Sequence, residues 1–187
     1  MAKDGERREA WTGPATDYVL EHGLIGLSLR PLAKALGTSD RMLLYHFGTK
    51  DDLVAAVLTE SNDRAVAAVE SLSPSPDLRS AVLDLWSVAD NSQFAPCTRL
   101  YVEAAALGLL GREPYASLVS EANGRWLASL VTHLTRSGVD RPLARRLVTV
   151  IDAAFLGFQL DAALDASGTT RKRAVADLAD AVAELGS

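Results

Sequence analysis

Between Ser28 and Lys50 the chain carries four cations, Arg30, Lys34, Arg41 and Lys50, and a single acid, Asp40. Lysine and arginine at such density neutralise phosphates, and an arginine presented at a helix end can read guanine O6 and N7 through a bidentate pair. Hydroxyl donors are interleaved with them at Ser28, Thr38, Ser39 and Tyr45. The chain as a whole has a formal charge of -5, which excludes a protein that coats nucleic acid through bulk electrostatics. Contact with a nucleic acid must therefore be local, and this positive island is where it would be made.

Other chemistry finds less support. His22, His46 and His133 are scattered, and no His-x-x-x-His, Cys-x-x-Cys or Glu-x-x-His pair nominates a metal. No phosphate loop or dinucleotide fingerprint is present, so no cofactor is expected. Glu103, His133 and Asp152 are the acid–base candidates for an enzyme built on a helical bundle, but nothing in the sequence places them together, and the chain is not expected to be an enzyme. Cys97 cannot form an intramolecular disulfide, being the only cysteine; its place near a helix start suits a redox sensor less well than ordinary packing. No apolar run approaches the roughly 20 residues needed to span a bilayer. The richest segment, Leu147 to Leu164, is interrupted by Asp152, Gln159 and Asp161. With no secretory signal at its start, the chain is expected in the cytoplasm.

The elements that must position these residues are helical. Apolar residues recur at spacings of three and four, and the breakers at Gly13-Pro14, Gly23 to Gly26, Gly37, Gly48, Ser73 to Pro76, Pro96, Gly111 with Pro114, Gly138 with Pro142, and Gly168 leave room for nine helices. The first three are short: Pro14 to His22, Ser28 to Leu36 and Ser39 to Phe47. Pro14 is expected to start or kink the first, leaving Trp11 in a separate arm. A fourth begins near Lys50 with a stripe of Leu53, Val54, Val57, Leu58, Val66 and Val69, and reads as a connector. Further helices are expected near Asp77 to Ser92, Pro96 to Leu110, Pro114 to Ser137, Arg141 to Ala166 and Thr170 to Leu185. The expected domains are 1–49, with 50–72 connecting, and 73–187.

Ser28 to Phe47 reads as two helices joined by a tight turn. Ser28 can cap the first, Pro31 falls in its first turn, and Leu32, Ala33 and Leu36 point inward. Gly37 supplies the turn, and Thr38 or Ser39 caps the second helix. Leu43 and Phe47 face inward, leaving Ser39, Asp40, Arg41, Met42, Tyr45 and His46 outside on a helix of the size used to read a major groove. Gly23, Leu32, Ala33, Gly37, Ser39, Leu43, His46, Phe47, Lys50 and Leu53 together resemble the signature of the TetR family over about the first 60 residues. The family often has a tyrosine directly after the leucine of the third helix; here that place is Leu44 and the tyrosine is Tyr45.

The resemblance implies an all-α, homodimeric, ligand-responsive repressor of a (pseudo)palindromic double-stranded DNA operator. The expected DNA contacts are Ser28, Arg30, Thr38, Ser39, Asp40, Arg41, Met42, Tyr45, His46 and Lys50. Its second domain is expected to bind an unidentified small-molecule effector and to shift the spacing of the two recognition helices through the fourth helix. Trp86, Phe94, Tyr101, Trp126, Phe155 and Gln159 are candidate pocket residues, with Arg99, Glu103, Asn123, His133 and Asp152 as further polar candidates. Arg145 to Leu164 carries two apolar stripes, one for the core and one for a second subunit. Leu147, Ile151, Ala154, Phe158 and Ala162 form one; Val150, Gly157, Leu160 and Leu164 form the other. The first, with Leu178 and Val182 of the last helix, is the candidate dimer interface. The alternatives are a helical small-molecule-binding protein or a protein-interaction adaptor, neither of which binds DNA.

Overall fold

The computed structural model describes residues 2–162 and 168–186, and side chains from Arg8 onward. Among the described residues there are nine α-helices and no strands. They are α1 (Ala2–His22), α2 (Leu29–Ala35), α3 (Asp40–Phe47), α4 (Lys50–Glu70), α5 (Leu78–Ala89), α6 (Ala95–Leu109), α7 (Tyr115–Arg136), α8 (Arg141–Asp161) and α9 (Thr169–Leu185). None is long and apolar enough to cross a membrane. The end of the helix expected to reach Ala166, and Leu164 with it, lies outside the described residues.

Two compact units form, and they do not follow chain order. One comprises the chain up to Arg64 with Arg99–Asn123; the other comprises Ala65–Thr98 with the chain from Gly124 on. The first unit packs around Val19, Leu32, Leu43, Phe47, Leu53, Val57 and Leu100. The second packs around Val82, Leu85, Trp86, Leu130, Leu134, Leu147, Ile151, Phe155, Val175 and Val182. The stripe on α4 is divided between them: Leu53, Val54, Val57 and Leu58 serve the first core and Val69 the second.

Helix α1 corrects the expectation that Pro14 could start the first helix, since it lies inside a continuous helix that begins at Ala2. Proline there gives up one backbone hydrogen bond. Contacts made by the upstream half of α1 offset the loss. Trp11 packs against the first core and sets its ring edge-on to His46 at 5.0 Å, and the Arg8 guanidinium lies 5.6 Å over the ring of Phe47. The Arg64 guanidinium, held by Glu60 at 2.8 Å and Asp17 at 2.5 Å, also donates to the Gly13 carbonyl at 3.4 Å. Trp11 thus belongs to the first helix and not to an arm.

Beyond α1, Glu103 of α6 ties down the chain. Its carboxylate accepts the amides of Leu24 at 2.5 Å and Ile25 at 2.8 Å, and Arg99 one turn earlier donates to the carbonyls of Leu20 and Glu21. Gly23 turns at φ +88, and a Cβ there would stand 3.1 Å from the Glu103 carboxylate, so both backbone and space favour glycine. Glu103 and Arg99, candidate ligand contacts by sequence, are bound to the end of α1 and the turn that follows it.

Candidate DNA-binding surface

Helix α2 is short because of what bounds it. Ser28 occupies its N-cap position with extended backbone, but the hydroxyl makes no capping bond and stays exposed. At the other end Gly37 takes φ +66, and Thr38 N–H closes back on the Ala33 carbonyl at 2.9 Å. Leu32 and Ala33 are buried and Leu36 half-buried, the inward face that the sequence requires. On the outward side Arg30 and Lys34, one turn apart, are exposed.

Of the two candidate caps, Ser39 caps α3. Its Oγ accepts Met42 N–H at 3.2 Å, while Asp40 Oδ1 accepts Arg41 N–H at 2.9 Å. Leu43 and Phe47 are buried against the first core. Arg41 is exposed and pairs with neither Asp40 nor Asp51, and Tyr45 stands 69% exposed with its phenol free to donate. Met42 is half-buried.

Between α2 and α3 the surface opens into a groove of about 860 Å³. Ser28, Arg30, Lys34, Thr38, Ser39 and Asp40 line it. Five of these six were candidates by sequence. Lys34 was not, although its place four residues after Arg30 puts both cations on one helix face. The groove is therefore bordered by hydroxyls and two cations that no described acid pairs, with Arg41 and Tyr45 on the same short helix α3.

Two expected contacts behave differently. Both ring nitrogens of His46 are buried, and its ring meets Trp11 at 5.0 Å and Tyr45 at 4.9 Å, so it cannot reach a base. It faces inward because it follows buried Leu43 by three positions, on the side of α3 that meets α1. Lys50 stands at the start of α4 and its Nζ donates to the Leu27 carbonyl at 2.5 Å, which joins it to the turn before α2. The same helix end is closed by a reciprocal cap missed in the sequence: Thr49 N–H donates to Asp52 Oδ2 at 3.0 Å and Asp52 N–H to Thr49 Oγ1 at 3.0 Å. The spacing Thr49-x-x-Asp52 is the signal that could have disclosed it.

In the second unit, four of the pocket candidates meet the same core. Trp86 and Phe155 are buried within it, with ring centroids 5.0 Å apart, and Phe94 and Trp126 pack against it half-buried. Gln159 spends its amide nitrogen on the Ala89 carbonyl at 2.6 Å and Thr98 Oγ1 at 3.2 Å. Tyr101 lies in the other unit. Trp126 Nε1–H donates to Asp152 Oδ1 at 2.7 Å. Burial pushes the Asp152 carboxyl above the usual carboxylate range, against the pull of that indole bond. His133 is buried beside Ser75, and burial holds its imidazole below the usual histidine value.

The expected dimer stripe needs correction. Leu147, Ile151 and Val182 are 1%, 0% and 1% exposed within one chain, so they have no surface left to give a partner. Phe158 and Leu178 also pack against the chain's own core, and only Ala154 and Ala162 of the remaining candidates are half-exposed without being counted among its packed residues. The neighbouring stripe is the exposed one: Val150 and Leu160 are each 49% exposed, with Ala153 and Gly157 between them. Sequence periodicity showed two apolar stripes; burial decides which is internal.

Residues 15–57 match the family model for bacterial regulatory proteins of the tetR family, a span that contains α2, α3 and the groove between them. No curated protein matches the chain. Among solved structures, a chain from Rhodococcus sp. assigned to the TetR family aligns at TM-score 0.72 and 18% identity, over 98% of this chain and 100% of that one. A chain from Streptomyces coelicolor A3(2) assigned as a transcriptional regulator aligns at TM-score 0.71 and 26% identity, over 97% and 99%. The multidrug binding protein EbrR, complexed with imidazole, aligns at TM-score 0.65 and 24% identity, over 95% and 94%. The chain is thus TetR-like in two respects: residues 15–57 carry a tetR-type helix-turn-helix, and its fold is shared along nearly its whole length with solved structures assigned as such regulators.

Proposed function

We propose that the chain is a ligand-responsive repressor that binds a (pseudo)palindromic DNA site as a homodimer in the cytoplasm, with no catalytic step. Residues 1–49 act as the DNA-binding domain, 50–72 connect, and 73–187 bind the effector and the second subunit. The observation that carries this reading is the open groove with Arg30 and Lys34, which no described acid pairs, beside the exposed Arg41 and Tyr45 of α3. Arg41 is suited to reading guanine, while Arg30, Lys34, Ser28, Thr38 and Tyr45 are suited to phosphates.

Dimerisation is supported by the stripe Val150, Ala153, Gly157 and Leu160 on α8, at alternating spacings of three and four and half made of small residues that let helices approach closely. Leu185 on α9 is exposed as well. A two-fold protein matches a two-fold site, because paired recognition helices must enter successive major grooves. Ligand response is supported by the aromatic cluster around Trp86 and by the likeness to EbrR, itself a multidrug binding protein. For the effector to switch binding it must favour one DNA-binding state over the other, with a coupling of about 1–3 kcal/mol.

The test is selection of genomic DNA fragments by the purified protein at fixed moderate salt, repeated on the best fragment with Arg41→Ala. Recovery of a two-fold site whose base preference relaxes in the variant, with a loss of about 1–3 kcal/mol, supports the reading. Failure to enrich any fragment, even after unfolding and refolding to strip bound ligand, refutes it.

A further inference from the structure

Asp152 is a half-buried acid with no counter-charge among the described residues. On α8 its neighbours one turn away are Val148, Thr149, Phe155 and Leu156, none of them cationic. From α7 it meets the neutral indole N–H of Trp126 at 2.7 Å, and no described cation pairs with it. More exposed acids in the same unit do have guanidinium partners: Asp180 with Arg79 at 2.5 Å and Asp90 with Arg171 at 3.6 Å. A carboxylate partly removed from water and without a counter-charge is costly, and one neutral hydrogen bond offsets only part of that cost.

The surroundings define what that charge would meet. Trp126 packs against the second core and, like Asp152, is only half-buried, so the pair can be reached from solvent. Its N–H edge is occupied by Asp152, which leaves the π-face as the ring's remaining means of recognition. The same core holds Trp86, with Phe155 at 5.0 Å and Phe158 at 5.9 Å, both edge-on. Phe155 follows Asp152 by three positions and shares its side of α8. A carboxylate beside aromatic rings attracts a positive charge on an apolar body, by ion pairing at one end and by cation–π contact and burial at the other.

We propose that Asp152 and Trp126 form the recognition element for an organic ammonium cation. The proposal rests on the reading that this regulator responds to a ligand, and it assigns that ligand's chemical class. Asp152 supplies the ion pair and Trp126 holds the carboxylate in place while offering its ring to the ligand. The desolvation that pushes the Asp152 carboxyl up is then relieved when the cation arrives.

The experiment titrates the intact protein with benzyltrimethylammonium and with neopentylbenzene, its uncharged isostere, following tryptophan fluorescence. Saturable binding of the cation is expected. Asp152→Asn, which preserves an acceptor for Trp126, should weaken the cation by about tenfold or more while leaving the neutral probe unchanged. Trp126→Phe should weaken the cation in a chain that still melts cooperatively. Equal cation binding by wild type and Asp152→Asn overturns the proposal, as does absence of saturable binding or an equal loss of both probes. Dissociation of a dimer by Asp152→Asn with cation binding intact also overturns it, since the carboxylate would then serve the second subunit. A DNA titration on the same samples separates the two readings. DNA binding without cation binding defeats only the present proposal; cation binding that leaves DNA affinity unchanged upholds the site and defeats ligand response.

Discussion

Lys50 Nζ donates to the Leu27 carbonyl at 2.5 Å, joining the first residue of α4 to the turn that precedes α2. A cation at the edge of a DNA-binding motif is here engaged with the backbone of its own chain. Lys50→Met should therefore lower stability by about 1 kcal/mol and leave the salt dependence of DNA affinity nearly unchanged. Lys34→Ala should do the reverse, reducing the slope of log affinity against log salt by about one with little change in melting temperature. Thermal denaturation and binding at several salt concentrations distinguish the two roles. A wild-type slope in Lys34→Ala would remove that lysine from the interface.

Glu103 accepts two amides from the turn that follows α1, and Leu24 beneath it is buried. Glu103→Ala leaves both donors without this acceptor, at a cost of about 1–3 kcal/mol in chemical denaturation. Glu103→Gln keeps one acceptor oxygen and should recover a part of that. If Glu103→Ala unfolds at the wild-type denaturant midpoint, the carboxylate does not secure this turn.

His133 gives stability a pH dependence. Ser75 donates its hydroxyl hydrogen to Asp84 at 2.6 Å, so the contact of 3.3 Å between Ser75 Oγ and His133 Nε2 is donated by the imidazole, and the neutral ring fits. Burial depresses its folded pKa below the ordinary 6.5, outweighing the attraction of Asp84. The unfolded chain takes up the proton first as pH falls. Stability from this group is thus full above 6.5 and declines as pH falls below it, by at most about 1.4 kcal/mol per unit. Melting curves from pH 7 to 5 should fall more steeply for wild type than for His133→Gln. Parallel curves would show that His133 is not the group responsible.

Asp152 has the opposite sign. Its folded pKa is raised above 3.8, so the charged form is disfavoured in the folded state and stability falls as pH rises through that raised value. At neutral pH, Asp152→Asn should raise the melting temperature, by a stabilisation on the order of 1 kcal/mol, and the advantage should disappear in acid. A variant less stable than wild type at neutral pH would mean that the carboxylate has a compensating partner in solution.

The periodicity of apolar residues and the glycine and proline breakers were sufficient to reveal nine helices, since both act within a few residues of chain. The helix-turn-helix was legible for the same reason: Leu32, Ala33, Gly37, Ser39, Leu43 and Phe47 each do a local task that their type permits. Position on a helix also told that Arg30 and Arg41 would be outward, but not that Lys50 would be engaged with Leu27. His46 shows the limit most plainly. Its helical position did not reveal that the start of α1 would continue through Pro14 and bring Trp11 against it.

The same division holds in the second unit. Sequence by itself determined that Arg145 to Leu164 is helical with two apolar stripes, interrupted by Asp152 and Asp161, because periodicity is a property of the helix alone. Only the tertiary structure decided that Leu147 and Ile151 face inward while Val150 and Leu160 face out, and that Asp152 meets Trp126 and no described cation. Those outcomes depend on elements distant in the chain, and a local pattern carries no record of which neighbour will cover which face.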